Sequence, residues 1–95
     1  MVAYDFSVII PISTKSEGKK LINQLRSITS YKLQIILILG KNPSKQRNQG
    51  ITRSRSEIIV FLDSDVILPD DYFLKIKKRF SRSILILSGP NLTDQ

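Results

Sequence analysis

The sequence predicts an α/β fold of three layers, with helices on both faces of a mostly parallel sheet of about four strands. Four runs rich in apolar, β-branched residues recur without alternating polar and apolar positions, which is typical of parallel strands buried on both faces. Helix-forming stretches separate these runs, so right-handed crossovers within one sheet are expected. The predicted strands are Phe6–Ile10, Gln34–Leu39, Glu57–Leu62 and Ser83–Leu87.

The first two connecting segments carry different helix signals. Between the first and second strands, apolar residues recur at helical spacing, with polar residues on the other face. In the next connection, Asn42-Pro43-Ser44 is a turn and N-cap signal for a short helix, which we expect to pack closely through Gly50. The apolar stripe of the first segment is Leu21, Ile22, Leu25 and Ile28, and its polar face is Lys19, Lys20, Gln24 and Arg26.

The segment between the third and fourth strands is predicted to form a helix, and the charged residues at both ends stabilise that helix. Asp70 and Asp71 follow Pro69 at the positive end of this helix, and Lys75 to Arg79 bring cations to its negative end. The side chains expected to face the core are Phe73, Ile76 and Phe80.

Size and composition limit the function classes. We interpret residues 1–95 as one domain, incomplete at the C-terminus, because nothing would cover the outer edge of the last strand. The absence of Cys and His excludes disulfides, thiolate nucleophiles and imidazole acid–base chemistry, so a metal would need oxygen ligands. With no apolar run of transmembrane length and no basic start of a signal peptide, the expected location is cytoplasmic.

The charge distribution indicates an anionic partner. The net charge is +7, and residues 15–55 hold ten Lys/Arg against Glu17 alone, a balance of +9. A solvated basic face is an alternative interpretation. A small module that binds nucleic acid is another, but this segment lacks interleaved aromatics and a known recognition motif, so nucleic acid is not the expected partner.

Candidate ligand-binding residues follow the predicted strands, where parallel sheets bind ligands. Asp63 and Asp65 come directly after a buried run and call for a compensating cation such as Mg²⁺ or Mn²⁺. The alternative is that Asp63 caps a turn and Asp65 pairs with a lysine. A helix beginning near Ser44, with Lys45 and Arg47, could cradle a diphosphate or could be a solvated basic helix. The glycine-rich phosphate motifs of P-loop and dinucleotide-binding proteins are absent.

Three sequence elements, taken in order, resemble a known family. They are Phe6-Ser-Val-Ile-Ile-Pro-Ile-Ser13, Asn42-Pro-Ser-Lys-Gln-Arg-Asn-Gln-Gly-Ile51 and Glu57-Ile-Ile-Val-Phe-Leu-Asp-Ser-Asp65 with Leu68-Pro-Asp-Asp71. Together they resemble the N-terminal, nucleotide-binding part of a family 2 glycosyltransferase. The resemblance implies the front half of a GT-A, Rossmann-like fold and a nucleotide-diphosphate sugar as ligand.

The resemblance also implies roles for individual residues. Pro11 and Ser13 match the loop against the nucleotide base, and Arg47 matches a residue near the base and diphosphate. Asp63 matches the ribose contact, and Asp65 matches the ligand of a metal that bridges the diphosphate. Gly40, which ends the second strand, completes the predicted nucleotide-binding set.

Two features distinguish this chain from the family pattern. Many members end the second strand with an acidic pair, one of which reads uracil, whereas Leu39-Gly40-Lys41-Asn42 has none, so the nucleotide is left open. The family's catalytic base and acceptor-binding segment lie beyond the matched part. We therefore expect this chain to be inactive alone, with an unknown catalytic base.

The full enzyme would transfer the sugar to the hydroxyl of an unknown acceptor, and it could associate with a membrane surface. A further alternative is a non-catalytic interaction domain. Its exposed sheet edge would pair with a second copy to form a homodimer.

Overall fold

The chain alternates strands and helices. A computed structural model describes residues 3–79 and the backbone of residues 85–88. The strands are β1 (Phe6–Ile12), β2 (Leu33–Leu39), β3 (Ile58–Phe61) and β4 (Leu85–Ser88), and the helices are α1 (Lys19–Ile28), α2 (Pro43–Arg53) and α3 (Tyr72–Arg79). The predicted order of elements is confirmed. Phe80, Ser83 and Ile84, which the sequence assigned to the third helix and fourth strand, lie outside the described residues.

The four strands form one parallel sheet in the order β2-β1-β3-β4. β1 pairs with β2 from Phe6 opposite Leu33 to Ile12 opposite Leu39, and with β3 up to Ile9 opposite Phe61. Because all pairings are parallel, the carboxyl ends of β1, β2 and β3 meet at one edge of the sheet. This sheet confirms the predicted fold class.

The larger core lies between the sheet and helices α1 and α3. Phe6, Val8 and Ile10 of β1 point into it and are fully buried. They meet Leu21 and Leu25 of α1, as the apolar stripe predicts. From α3 the core receives Tyr72, Phe73 and Ile76.

The opposite face of the sheet carries a smaller core under α2. It consists of Ile9, Ile36, Ile38, Ile59 and Phe61. Gly50 is buried against Ile9, which confirms the predicted close packing, whereas Ile51 is exposed. Helices therefore cover both faces, which gives the three predicted layers.

The helix starts differ slightly from the sequence prediction. α2 begins at Pro43, and the side chain of Asn42 caps it by accepting a hydrogen bond from the backbone N–H of Lys45 at 3.1 Å. α3 begins at Tyr72, but the N–H of Lys75 donates to the carbonyl of Asp71 at 3.0 Å, so Asp71 already belongs to the helical hydrogen-bond pattern. The carboxylate of Asp71 lies 3.4 Å from the ammonium of Lys75.

The sequence predicted Gln24 on the polar, solvent-facing side of α1, but its side chain does not point into solvent. Its side chain is half-buried and donates to the carbonyl of Val66 at 3.1 Å, while its oxygen accepts from the N–H of Leu68. It therefore ties α1 to the segment that follows β3. Among the helices of residues 3–79, none combines the length and hydrophobicity that a membrane span requires.

Candidate functional site

Backbone hydrogen bonds bring the predicted site residues to one edge of the sheet. The N–H of Leu62 donates to the carbonyl of Ile9 at 3.0 Å, and Asp63 follows directly. On the other side of β1, the N–H of Gly40 donates to the carbonyl of Ile12 at 3.0 Å. The ends of β2 and β3 thus flank the end of β1, as parallel pairing requires.

The two acids after β3 lie in a tight turn. The N–H of Val66 donates to the carbonyl of Asp63 at 3.2 Å, so Asp63, Ser64 and Asp65 lie in a single turn. Both aspartates are exposed, and Ser64 between them is half-buried. Neither carboxylate forms an ion pair with any residue in the part of the chain that the structure describes. The lysine partner considered for Asp65 is therefore not found there.

Arg47 lies on the α2 side of the same edge. Its guanidinium carbon is 5.7 Å from the centre of the Phe61 ring, two residues before Asp63. The side chain is exposed, as is that of Lys45 in the first turn of α2. Phe61 thus holds a cation on the α2 face of the sheet, and among the described residues Arg47 forms no ion pair with Asp63 or Asp65.

A cavity of about 240 Å³ joins three of the predicted nucleotide-binding residues, Pro11, Ser13 and Gly40. A neighbouring groove of about 580 Å³ runs between the start of α1 and the acidic turn, and Asp65 lines it. Arg47 and Asp63 line neither of these two spaces. The structure thus divides the predicted set between adjoining surfaces of the same edge.

Gln46 is a site-forming residue that the sequence analysis missed. It is 5% exposed, and its amide nitrogen donates to the carbonyls of Ile12 at 3.0 Å and Ile38 at 2.7 Å. It thereby fixes α2 across the ends of β1 and β2, at the wall of the smaller cavity. One signal was available, because Gln46 lies one helical turn before Gly50 and therefore on the same face.

Glu17 is the second residue that was missed. Its carboxylate accepts hydrogen bonds from the hydroxyl and the N–H of Ser13, and from the hydroxyl of Ser64 at 3.2 Å. The bond from the Ser13 hydroxyl is the main cause that lowers the pKa of Glu17 below its ordinary value. Its position as the sole acid among ten basic residues was the available signal.

Comparison with known proteins identifies the class. Open parallel α/β sheets commonly bind ligands beyond the carboxyl ends of their strands. The family model described as glycosyl transferase family 2 matches residues 9–89, from β1 through β4. The chain therefore belongs to glycosyl transferase family 2, and the resemblance seen in the sequence is confirmed. Searches of curated proteins and of solved structures gave no significant match.

Proposed function

We propose that this domain binds a nucleotide-diphosphate sugar together with a divalent cation, and that the full enzyme transfers the sugar to an acceptor hydroxyl. The observation that carries the proposal is the exposed turn Asp63-Ser64-Asp65 at the carboxyl end of a central strand, in a chain of this family. Its two carboxylates have no ion-pair partner among residues 3–79.

The donor groups of the turn fit Mg²⁺ or Mn²⁺. Both cations prefer carboxylate oxygens and commonly use one or two protein carboxylates together with substrate phosphates. A cage made of protein ligands alone is not required, and residues 3–79 contain no group of three potential metal-binding side chains. When bound, the cation would act as a Lewis acid on the departing nucleoside diphosphate.

The residues around the turn have complementary proposed roles. Asp65 holds the cation, and Asp63 contacts the ribose. Arg47, exposed beside Phe61, supplies positive charge for the diphosphate. The cavity of Pro11, Ser13 and Gly40 receives the base. These assignments give the base, the ribose and the diphosphate each a binding group along one sheet edge, and they assign none to the sugar.

The transfer step needs a further group. The acceptor oxygen attacks the anomeric carbon while the bond from that carbon to the diphosphate oxygen breaks, and a base takes the acceptor proton. We assign this base to none of the described residues. Asp70 and Asp71, the next acids along the chain, are explained by the start of α3.

Titration calorimetry with UDP and with GDP, each with and without Mn²⁺, tests the proposal. We expect binding to need Mn²⁺ and to weaken at least about tenfold in Asp65→Ala, because a ligand of the cation is lost. Asp70→Ala is the matched control, since Asp70 is an exposed acid outside the turn. Equal nucleotide binding by Asp65→Ala and Asp70→Ala, or nucleotide binding that does not depend on Mn²⁺, would contradict the proposal.

Two further measurements on the same protein test the alternative functions. Binding of RNA or DNA that is independent of metal and steeply dependent on salt would favour the basic nucleic-acid module. A stable dimer that binds neither nucleotide would favour the interaction domain, and sedimentation analysis measures this.

A further inference from the structure

The carboxylate of Glu17 joins two loops that the proposed function uses. One oxygen accepts from the backbone and hydroxyl of Ser13, in the loop after β1. The other accepts from the hydroxyl of Ser64 at 3.2 Å, across 47 residues of sequence. The cavity lined by Pro11, Ser13 and Gly40, which is proposed to receive the nucleotide base, is called the nucleobase cavity below. Glu17 therefore links the wall of the nucleobase cavity to the centre of the acidic turn, and it lines both of the adjoining spaces.

Within residues 3–79, few other side chains attach the acidic turn to the fold. Asp63 and Asp65 are exposed, and the bond from Val66 to the carbonyl of Asp63 closes the turn on itself. The side-chain bonds that reach the turn from elsewhere in these residues come from the region of α1. Glu17 holds Ser64, and Gln24 holds the carbonyl of Val66 at 3.1 Å.

A turn held at its middle residue presents its two flanking carboxylates in a defined direction. Groups that orient the ligands of a metal commonly change its affinity when they are removed, although they do not touch the metal. Ser64 lies between the two acids, so a bond to its hydroxyl acts on both. No contact between Glu17 and either aspartate is needed for this effect.

We propose that Glu17 is a positioning residue. It holds the Asp63-Ser64-Asp65 turn against the loop after β1 and so determines where the two aspartates lie relative to the nucleobase cavity. This inference rests on the proposed function. Glu17 acts through the Ser64 hydroxyl, and not by binding the cation or the nucleotide itself.

A double-mutant cycle on the full 95-residue chain tests the inference. Calorimetry with Mn²⁺ and UDP, and in parallel with GDP, compares the wild type with Glu17→Gln, Ser64→Ala and the double variant. We expect each single change to weaken binding by about tenfold and the double change to weaken it no further, because each breaks the bond that the Ser64 hydroxyl donates. Alanine removes the hydroxyl, and glutamine has one acceptor oxygen in place of two, which the Ser13 donors occupy. Glu57→Gln is the matched control, because it removes an exposed acid at the opposite end of β3.

A conservative variant and a measurement without ligand separate positioning from charge and from folding. Glu17→Asp keeps the charge but is one methylene shorter, so we expect it to bind as weakly as Glu17→Gln. NMR order parameters of Ser64 and Asp65 in the metal-free chain should fall in Glu17→Gln while its far-UV circular dichroism spectrum matches that of Glu57→Gln, which shows that the fold is kept.

The outcomes distinguish the two proposals. If the wild type binds neither nucleotide with Mn²⁺, the proposed function fails and this inference fails with it. If the wild type binds and Glu17→Gln binds equally well, only the role of Glu17 is overturned. Full binding by Glu17→Asp, or additive losses in the double variant, would also overturn it, since charge or an independent effect would then explain the data.

Discussion

Replacing Gly50 by alanine should destabilise the domain, although alanine is the better helix former. A Cβ at this position would lie 2.4 Å from Cγ2 of Ile9, and 2.8 and 2.9 Å from two further atoms of the same side chain. Ordinary contact begins at 3.4 Å, so the closest approach is 1.0 Å too short. Ile9 is fully buried in β1, and all three close atoms belong to its side chain. Either Ile9 must leave its rotamer or helix α2 must move away from the sheet.

Two opposing effects set the magnitude. Overpacking a core typically costs about 1–3 kcal/mol, and three simultaneous short contacts with a fully buried side chain favour the upper end. Replacing glycine by alanine inside a helix returns about 1 kcal/mol. We therefore expect a net loss of about 2 kcal/mol in the free energy of unfolding, which lowers the melting temperature by on the order of 10 °C for a domain of this size.

Urea unfolding followed by circular dichroism measures this loss. Gln49→Ala, at the exposed neighbouring position of α2, is the control and should stay within about 0.5 kcal/mol of the wild type. In an Ile9→Ala background, which removes the three clashing atoms, Gly50→Ala should become neutral or stabilising; a stabilising osmolyte keeps that background folded. A Gly50→Ala protein as stable as the wild type would refute the reasoning.

Three further predictions concern single side chains. Gln46→Ala should lower the free energy of unfolding by about 1–3 kcal/mol in urea titration, because the carbonyls of Ile12 and Ile38 lose their side-chain donor. Hydrogen bonding lowers the pKa of Glu17 below 4.5, so the contribution of Glu17 to the free energy of unfolding is present above that pH and is lost as the pH falls through the lowered value. Acid unfolding curves of the wild type and of Glu17→Gln should therefore converge at low pH, and parallel curves would contradict this. Burial raises the pKa of Tyr72 from 10.0 to about 12, so between these pH values the folded state keeps a proton that the unfolded state releases. The free energy of unfolding should therefore fall over this pH range, and it should fall less in Tyr72→Phe. Thermal melts at alkaline pH measure the difference.

The sequence predicted the fold because its signals are local. Uninterrupted apolar runs identify strands buried on both faces, and every residue of β3 is indeed buried. The prediction ended the first strand with the apolar run at Ile10, before Pro11, which cannot donate to a sheet. The strand continues through Pro11 to Ile12 because β3 pairs with β1 only as far as Ile9, so Pro11 has a strand neighbour on one side alone.

The shared edge of Pro11, Gly40 and Asp63 was also predictable, since parallel strands end on the same side. The bonds that organise this edge were not. The positions of Gln46 and Glu17 gave a signal, but their partners are backbone carbonyls and a serine hydroxyl, which carry none in the sequence. Polar side chains in a basic segment are typical of a solvated surface, and only the fold shows which of them turn inward.

The central position of β1 determines how the nascent protein must assemble. Strand β1, helix α1 and strand β2 form a contiguous unit that leaves the ribosome before β3 and can pair without it. Until β3 emerges, the other hydrogen-bonding side of β1 has no partner, although every residue of β1 except Pro11 is buried in the folded domain. We therefore expect the emergence of the polar α2 segment from the ribosome to be the interval in which this polypeptide is most prone to aggregation and most dependent on chaperones.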